Sequence, residues 1–317
     1  MQSVFLDYQT FSTNIDFSAL HQAVDELTLY ATTAPEKIIA RCLNAEIILT
    51  NKVILNRETL TLLPNLKLIC ITATGINNVD IETAKELNIA VTNVSGYAKS
   101  SVAQYVFAQL LAYYSQIEHH NSNSKQGLWQ ESATFCHHGN GSMELAGKAI
   151  AIIGYGALGQ KVAEIAKAFD MQVLIAERPN ATQVRRDRVP FIQAIEQADI
   201  ISLHCPQTNE TEGLFNAEVL SRMKASAVLI NTARGALINN HDLLNALNSN
   251  QLGCAILDVL DQEPPSKDHI LLAAQSSKLK ITAHIAWASL QAQQALLNLV
   301  ADNITAFKQG ERVNRVD

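Results

Sequence analysis

The chain has little charge to spare. Lys and Arg number 24 against 30 Asp and Glu, a net charge of −6, and charged residues are only 17% of the 317. No basic field is present to attract nucleic acid or an anionic membrane surface. Apolar residues reach 48% but are never gathered into a long run. Stretches such as residues 105–114 fall well short of the roughly 20 that cross a bilayer, so no membrane association is expected. The cysteines, Cys42, Cys70, Cys136, Cys205 and Cys254, are odd in number and form no CxxC. That argues against a disulfide framework and for reduced thiols in the cytoplasm. Residues 1–8 place Asp7 among their apolar residues with no basic region before them, unlike a secretory signal. Internal repeats, low-complexity tracts and charge blocks are also lacking.

What is present is an alternation of short apolar runs and helical spacing, in a chain of 317 residues that is long enough for two domains. Residues 4–7, 27–31, 46–49, 66–72 and 89–94 read as strands rich in Ile, Leu and Val without period-2 alternation, as in a parallel sheet covered on both faces. Residues 35–43 and 56–63 have helical spacing. Residues 100–124 read as one long helix, its mainly apolar face made by Val102, Tyr105, Val106, Gln109, Leu110 and Tyr113, and it is expected to cross between domains. A loop-like stretch, 127–142, carries Trp129 and Phe135. A second alternation follows, with strands at 149–154, 172–177, 200–205, 227–232, 253–259 and 279–284, fitting a doubly wound dinucleotide-binding domain. The tail, 289–309, is a helix with Leu290, Ala295, Leu296, Leu299, Val300, Ile304 and Phe307 on one stripe. If it packs back on the first domain, both chain ends build that domain. The expected fold is α/β: a Rossmann domain (99–287) inserted into a flavodoxin-like substrate domain (1–98 plus 288–317).

Gly154-Tyr155-Gly156-Ala157-Leu158-Gly159 leaves one strand and opens a helix. In that context the first glycine permits the tight turn and the second lets a pyrophosphate approach the backbone. The third allows close helix–strand packing, with the helix N-terminus facing the phosphates. Glu177 ends the next strand, where a carboxylate would hold the ribose hydroxyls of NAD and repel the 2′-phosphate of NADP. Arg178 beside it is a residue type that accommodates that phosphate. NAD is the expected cofactor and NADP the less favoured one.

In open α/β sheets ligands bind beyond the carboxyl ends of strands. Arg234, Glu263 and His284 stand out at or beyond such ends. Taken singly, each has a bland reading: a lone His at a strand end is more often structural, and an Arg there often pairs on the surface. Cys205 has no base placed for it and is not expected to be a nucleophile. Cys136-His137-His138 lacks a further ligand at a useful spacing, so no metal site is expected.

Several motifs in order resemble the D-isomer-specific 2-hydroxyacid dehydrogenases. They are the glycine loop at 154–159, Ile230-Asn231-Thr232-Ala233-Arg234-Gly235, the stretch 258–265, and Thr282-Ala283-His284-Ile285-Ala286-Trp287, joined by 71–80 and 96–104. The resemblance covers nearly the whole chain. With Gly127-Leu128-Trp129-Gln130, the segment 282–289 looks most like the glycerate dehydrogenase, or hydroxypyruvate reductase, branch. It implies hydride transfer between NAD and a small 2-keto or D-2-hydroxy acid, with hydroxypyruvate or glyoxylate foremost. His284 would supply the proton, since imidazole titrates near neutrality. Glu263 would hold the other ring nitrogen, and Arg234 would hold the carboxylate and carbonyl oxygens.

The same resemblance assigns substrate-binding backbone amides to Thr74 and Gly75, beside Arg234 and His284, whereas Lys52 reads as solvated. It lines the cofactor with Cys205, Pro206 and Thr211 on the adenosine side and the backbone of Thr232 and Ala233. Asp258 would meet the nicotinamide carboxamide, and Arg234 and His284 complete that end. It also implies a homodimer formed through the cofactor domain, with 100–145 as the embracing element. A phosphoglycerate dehydrogenase reading meets no room for the C-terminal regulatory domain many of those carry, and a formate dehydrogenase reading meets an acid, Glu263, where that branch has glutamine. A reading from another class is a non-catalytic NAD sensor like the corepressor members of this fold; no basic or disordered extension for partners supports it.

Overall fold

The computed structural model describes residues 1–317, which divide into two compact units, 1–98 with 287–317, and 99–286. The first contains β1 (Gln2–Phe5), β2 (Glu26–Leu29), β3 (Ile47–Thr50), β4 (Leu68–Ile71) and β5 (Ala90–Thr92), with α1 (Ser18–Ala23), α2 (Ile38–Cys42), α3 (Arg57–Thr61) and α4 (Ile81–Glu86). The strands pair in parallel in the order β2-β1-β3-β4-β5, the flavodoxin-like arrangement. β3 and β4 are buried throughout, which is why neither shows polar alternation. Successive side chains serve opposite faces: Ile48 and Ile69 join one core with Val4 and Leu6, whereas Ile47, Leu49 and Leu68 join another with Phe5. The C-terminal helix, Leu290–Lys308, buries Leu296, Leu297, Val300 and Ile304 in that second core. Both chain ends therefore build this unit.

The second unit contains α5 (Lys99–Ser115), α6 (Ile117–Lys125), β6 (Ala149–Ile153), α7 (Ala157–Ala168), β7 (Gln172–Ile175), α8 (Phe191–Gln197), β8 (Ile200–Leu203), α9 (Ala217–Ser221), β9 (Val228–Asn231), α10 (Asn240–Asn248), β10 (Cys254–Leu257), α11 (Ile270–Ala273) and β11 (Leu279–Ile281). Its parallel strands run β11-β10-β9-β8-β6-β7. Val189 adds an isolated parallel bridge to Ala176 beyond β7. Counting that bridge as a one-residue third strand gives the order 3-2-1-4-5-6-7, the 3-2-1-4-5-6 order of Rossmann sheets with β11 as a seventh strand at the edge, and puts the topological switch between β6 and β8. α5 packs on α7, with the Phe107 and Phe169 rings stacked at 5.3 Å.

Three expectations are corrected. The helix foreseen over 100–124 is two helices, because Gln116 adopts φ +51° and a left-handed residue cannot continue a right-handed helix. That helix pair also lies wholly within the second unit rather than crossing between units. Trp287 belongs to the first unit instead of the second, held edge-on to Phe11 at 5.9 Å and Tyr97 at 6.2 Å.

Candidate active site

Parallel pairing brings six strand ends of the second unit to one edge. Gly154 follows β6, Glu177 lies two residues past β7, Cys205 two past β8, Thr232 one past β9, Asp258 one past β10, and His284 three past β11. His284 does not close a strand over 279–284 as its sequence suggests. In the structure the strand ends at Ile281 and His284 sits in the following loop at φ +55°.

At the switch point the glycine loop is a shaped cradle. Gly154 has φ +94°, and a Cβ there would lie 2.5 Å from Cys205 N. At Gly159 it would lie 2.1 Å from the Gly154 carbonyl oxygen. Any side chain at either position would force apart β6, β8 and α7. Gly156 has only open space where a side chain would go, and as N-cap of α7 it supplies no side-chain cap. The first amides of Ala157, Leu158 and Gly159 therefore keep the donor capacity that a phosphate takes up at a helix start. Just past the ends of β8 and β9, Nδ1 of His204 and Oγ1 of Thr232 are buried without a hydrogen-bond partner. Orphaned polar atoms beside a cradle of this form fit a bound dinucleotide.

Glu177 is buried at 4% exposure and its carboxylate is already engaged. Oε1 accepts from Arg178 N at 2.9 Å and from Arg185 Nη2, and Oε2 accepts from Arg185 N at 3.1 Å and Nε at 2.8 Å. The Arg185 guanidinium, then the Arg178 amide, hold this carboxyl well below the usual carboxylate range. Arg188 donates to the Ala176 carbonyl at 3.1 Å and lies 5.8 Å from the Tyr155 ring centroid. The acid expected to meet ribose hydroxyls is thus matched by a basic side chain invisible to motif spacing.

The three residues singled out for chemistry lie on loops that lock together. His284 Nδ1 is 2.6 Å from Glu263 Oε2, and Glu263 Oε1 accepts from Leu260 N at 2.9 Å. The His284 backbone N–H donates to the Asp258 carbonyl at 2.7 Å. Asp258, 1% exposed, uses its carboxylate to shape the same loop, accepting from Thr282 Oγ1 at 2.6 Å, Ile285 N at 2.9 Å and Ala286 N at 2.8 Å. Arg234 is placed by Asn231, whose buried amide donates to the Arg234 carbonyl at 2.7 Å and accepts from Ala233 N at 3.0 Å. Arg234 Nη1 donates to the Ala233 carbonyl at 2.6 Å. Gly235 then passes so close to the Glu263 loop that a Cβ would fall 1.9 Å from Leu260 C. Asn231 was not singled out, although an amide at the end of an otherwise apolar strand was a readable signal.

Burial pushes the Cys205 thiol up to about 11, so it remains protonated and suits a wall better than a nucleophile. Thr211 donates its hydroxyl to the Pro206 carbonyl at 2.8 Å, closing the loop after β8. Thr74 and Gly75 lie in the first unit after β4, Thr74 exposed and Gly75 half-buried, with Thr74 Oγ1 donating to the Val94 carbonyl at 2.9 Å. Lys52 is exposed and its amide donates to Asp7 at 2.6 Å.

Comparison with known proteins decides the family. Residues 107–286 match the D-isomer specific 2-hydroxyacid dehydrogenase, NAD binding domain. The chain belongs to the D-isomer specific 2-hydroxyacid dehydrogenases. A Haemophilus influenzae protein bearing the 2-hydroxyacid dehydrogenase name is 44% identical over 89% of this chain and 90% of its own. Glycerate dehydrogenase of Methylorubrum extorquens is 38% identical over 99% and 98%. Among solved structures, the TT0316 protein of Thermus thermophilus superposes with a TM-score of 0.86 at 28% identity, covering 100% of both chains. As a member of this dehydrogenase family the protein is an NAD-dependent oxidoreductase, and its second unit contains the NAD-binding domain. No helix is long and apolar enough to cross a membrane.

Proposed function

We propose that the protein reduces a small 2-keto acid to the D-2-hydroxy acid, with hydroxypyruvate or glyoxylate as substrate. The observation that carries this is the 2.6 Å contact between His284 Nδ1 and Glu263 Oε2 at the carboxyl edge of an NAD-binding sheet. Glu263, oriented by the Leu260 amide, fixes the ring so that its other nitrogen, Nε2, is the one left for substrate. In the protonated ring Nδ1–H donates to Glu263 Oε2. Nε2–H then donates to the carbonyl oxygen and delivers its proton as that oxygen becomes an alkoxide. Arg234 binds the substrate carboxylate through its planar fork. The 154–159 loop, Glu177, Cys205, Pro206, Thr211, Thr232, Ala233 and Asp258 would hold NAD, which in its reduced form would supply the hydride. The substrate assignment rests on the Methylorubrum relative, named for glycerate, the 2-hydroxy acid formed when hydroxypyruvate is reduced.

Two further readings accompany it. The stretch after α6 exposes Phe135 at 92% and Trp129 at 55%, which suits burial in a homodimer formed through the second unit. All five cysteines are free, in keeping with a reducing, cytoplasmic location.

The decisive assay follows loss of reduced-nicotinamide absorbance with a panel of 2-keto acids, comparing wild type with His284→Ala. Turnover of hydroxypyruvate or glyoxylate that is lost in the variant supports the reading. No turnover on any keto acid, or full activity without the imidazole, overturns it.

A further inference from the structure

We propose that Tyr105 is a positioning residue for His284, acting through Thr282 and Asp258. The inference rests on reading His284 as the proton donor. His284 is a non-glycine residue at φ +55°, a conformation that persists only where the surroundings over-determine it. Asp258 supplies part of that constraint through Thr282, Ile285 and Ala286. The rest comes from α5. Tyr105 Oη lies 2.5 Å from Thr282 Oγ1, and Ser101 Oγ donates to the Ala286 carbonyl at 2.7 Å.

The polarity of this chain follows from proton counting. A threonine hydroxyl has one proton, and Thr282 gives its proton to Asp258 at 2.6 Å. The 2.5 Å contact must therefore be Tyr105 donating to Thr282. Burial, with the Asp258 charge nearby, holds the Tyr105 phenol above its ordinary value and keeps it a donor. Residues 101 and 105 are one turn apart on one helix face, and they grip positions 282 and 286, on either side of His284. Asp258 also begins the segment that leads to Glu263, so the contacts that hold the His284 loop hold the start of its partner's loop too. Tyr105 touches neither reacting atom in this scheme; it restrains the loop on which the donor rides.

Four variants test the proposal by steady-state kinetics with the keto acid and by fluorescence titration of NADH. Tyr105→Phe should lower kcat about tenfold, a cost of the order expected from a small misplacement of a catalytic group, with keto-acid KM and NADH affinity unchanged. Thr282→Val should reproduce that loss, Thr282→Ser should retain wild-type kcat, and Tyr105→Phe with Thr282→Val should be no worse than Thr282→Val, because both break one chain. Wild-type kcat in Tyr105→Phe overturns the proposal, as does a parallel loss of kcat, KM, NADH affinity and melting temperature, which marks packing alone. His284→Ala, run alongside, separates the two ideas: if it stays active, the proton-donor reading fails first.

Discussion

Arg185 covers the Glu177 carboxylate, with Nε 2.8 Å from Oε2 and its own backbone amide 3.1 Å from the same oxygen. The carboxylate at the end of β7 is what a ribose diol needs, yet its charge is neutralised from the following loop.

Cofactor discrimination should therefore depend on Arg185 as much as on Glu177. Arg185→Ala frees the carboxylate to accept ribose hydroxyls and exposes its charge to a 2′-phosphate. The ratio of NADPH to NADH dissociation constants, measured by fluorescence titration, should rise about tenfold. An unchanged ratio would show that Glu177 does not face the ribose.

Gly235 joins the Arg234 turn to the Glu263 loop through a space that admits no Cβ. Gly235→Ala must displace Leu260 and Asp261. It should cost about 1–3 kcal/mol of stability, as overpacking typically does, and lower kcat at least tenfold. Denaturant unfolding and steady-state kinetics measured on one preparation check both.

The Glu263 carboxylate should matter through its charge, beyond its hydrogen bond. Glu263→Gln retains an oxygen or an amide for His284 Nδ1 but removes the negative charge beside the ring. A fall in kcat of about 10²-fold is expected, within the range for general acid–base catalysis, with little change in keto-acid KM. Wild-type kcat in the amide variant would make the contact merely structural.

His204, half-buried with its ring Nδ1 enclosed, predicts a pH dependence of stability. Its Nε2 pairs with Ser202 Oγ at 2.8 Å while Nδ1 has no partner, and burial pushes its pKa down to about 4. The unfolded chain takes up a proton near 6.5 that the folded chain refuses until about 4. The stabilisation is therefore complete above 6.5 and is lost as the pH falls toward 4. His204→Leu should flatten the plot of unfolding free energy against pH in that window by up to about 1.4 kcal/mol per unit. An unchanged slope in urea titrations would show that His204 titrates freely.

The two-sheet architecture was legible because parallel strands buried on both faces leave unbroken apolar runs, as in Ile47–Thr50 and Ile200–Leu203. The glycine loop was legible because its glycines answer to local sterics. Strand lengths were overestimated at 279–284, where the apolar signal runs on past Ile281 into a loop. The helix break at Gln116 left no mark, since a single left-handed residue carries no periodicity. Arg185 and Tyr105 stayed hidden because they act across 8 and 177 residues of sequence.

By itself the sequence determined which chemical groups the strand ends carry: a guanidinium at 234, a carboxylate at 263, an imidazole at 284 and bare backbone at 154–159. Those are covalent facts, and their order along the chain places them at successive strand ends. Only the tertiary structure decided their state. It engages Glu177 with Arg185, turns His284 into a left-handed loop, and sets its ring 2.6 Å from Glu263. Charge pairing and hydrogen-bond geometry depend on distances of a few ångströms between residues far apart in the chain, and only packing sets those.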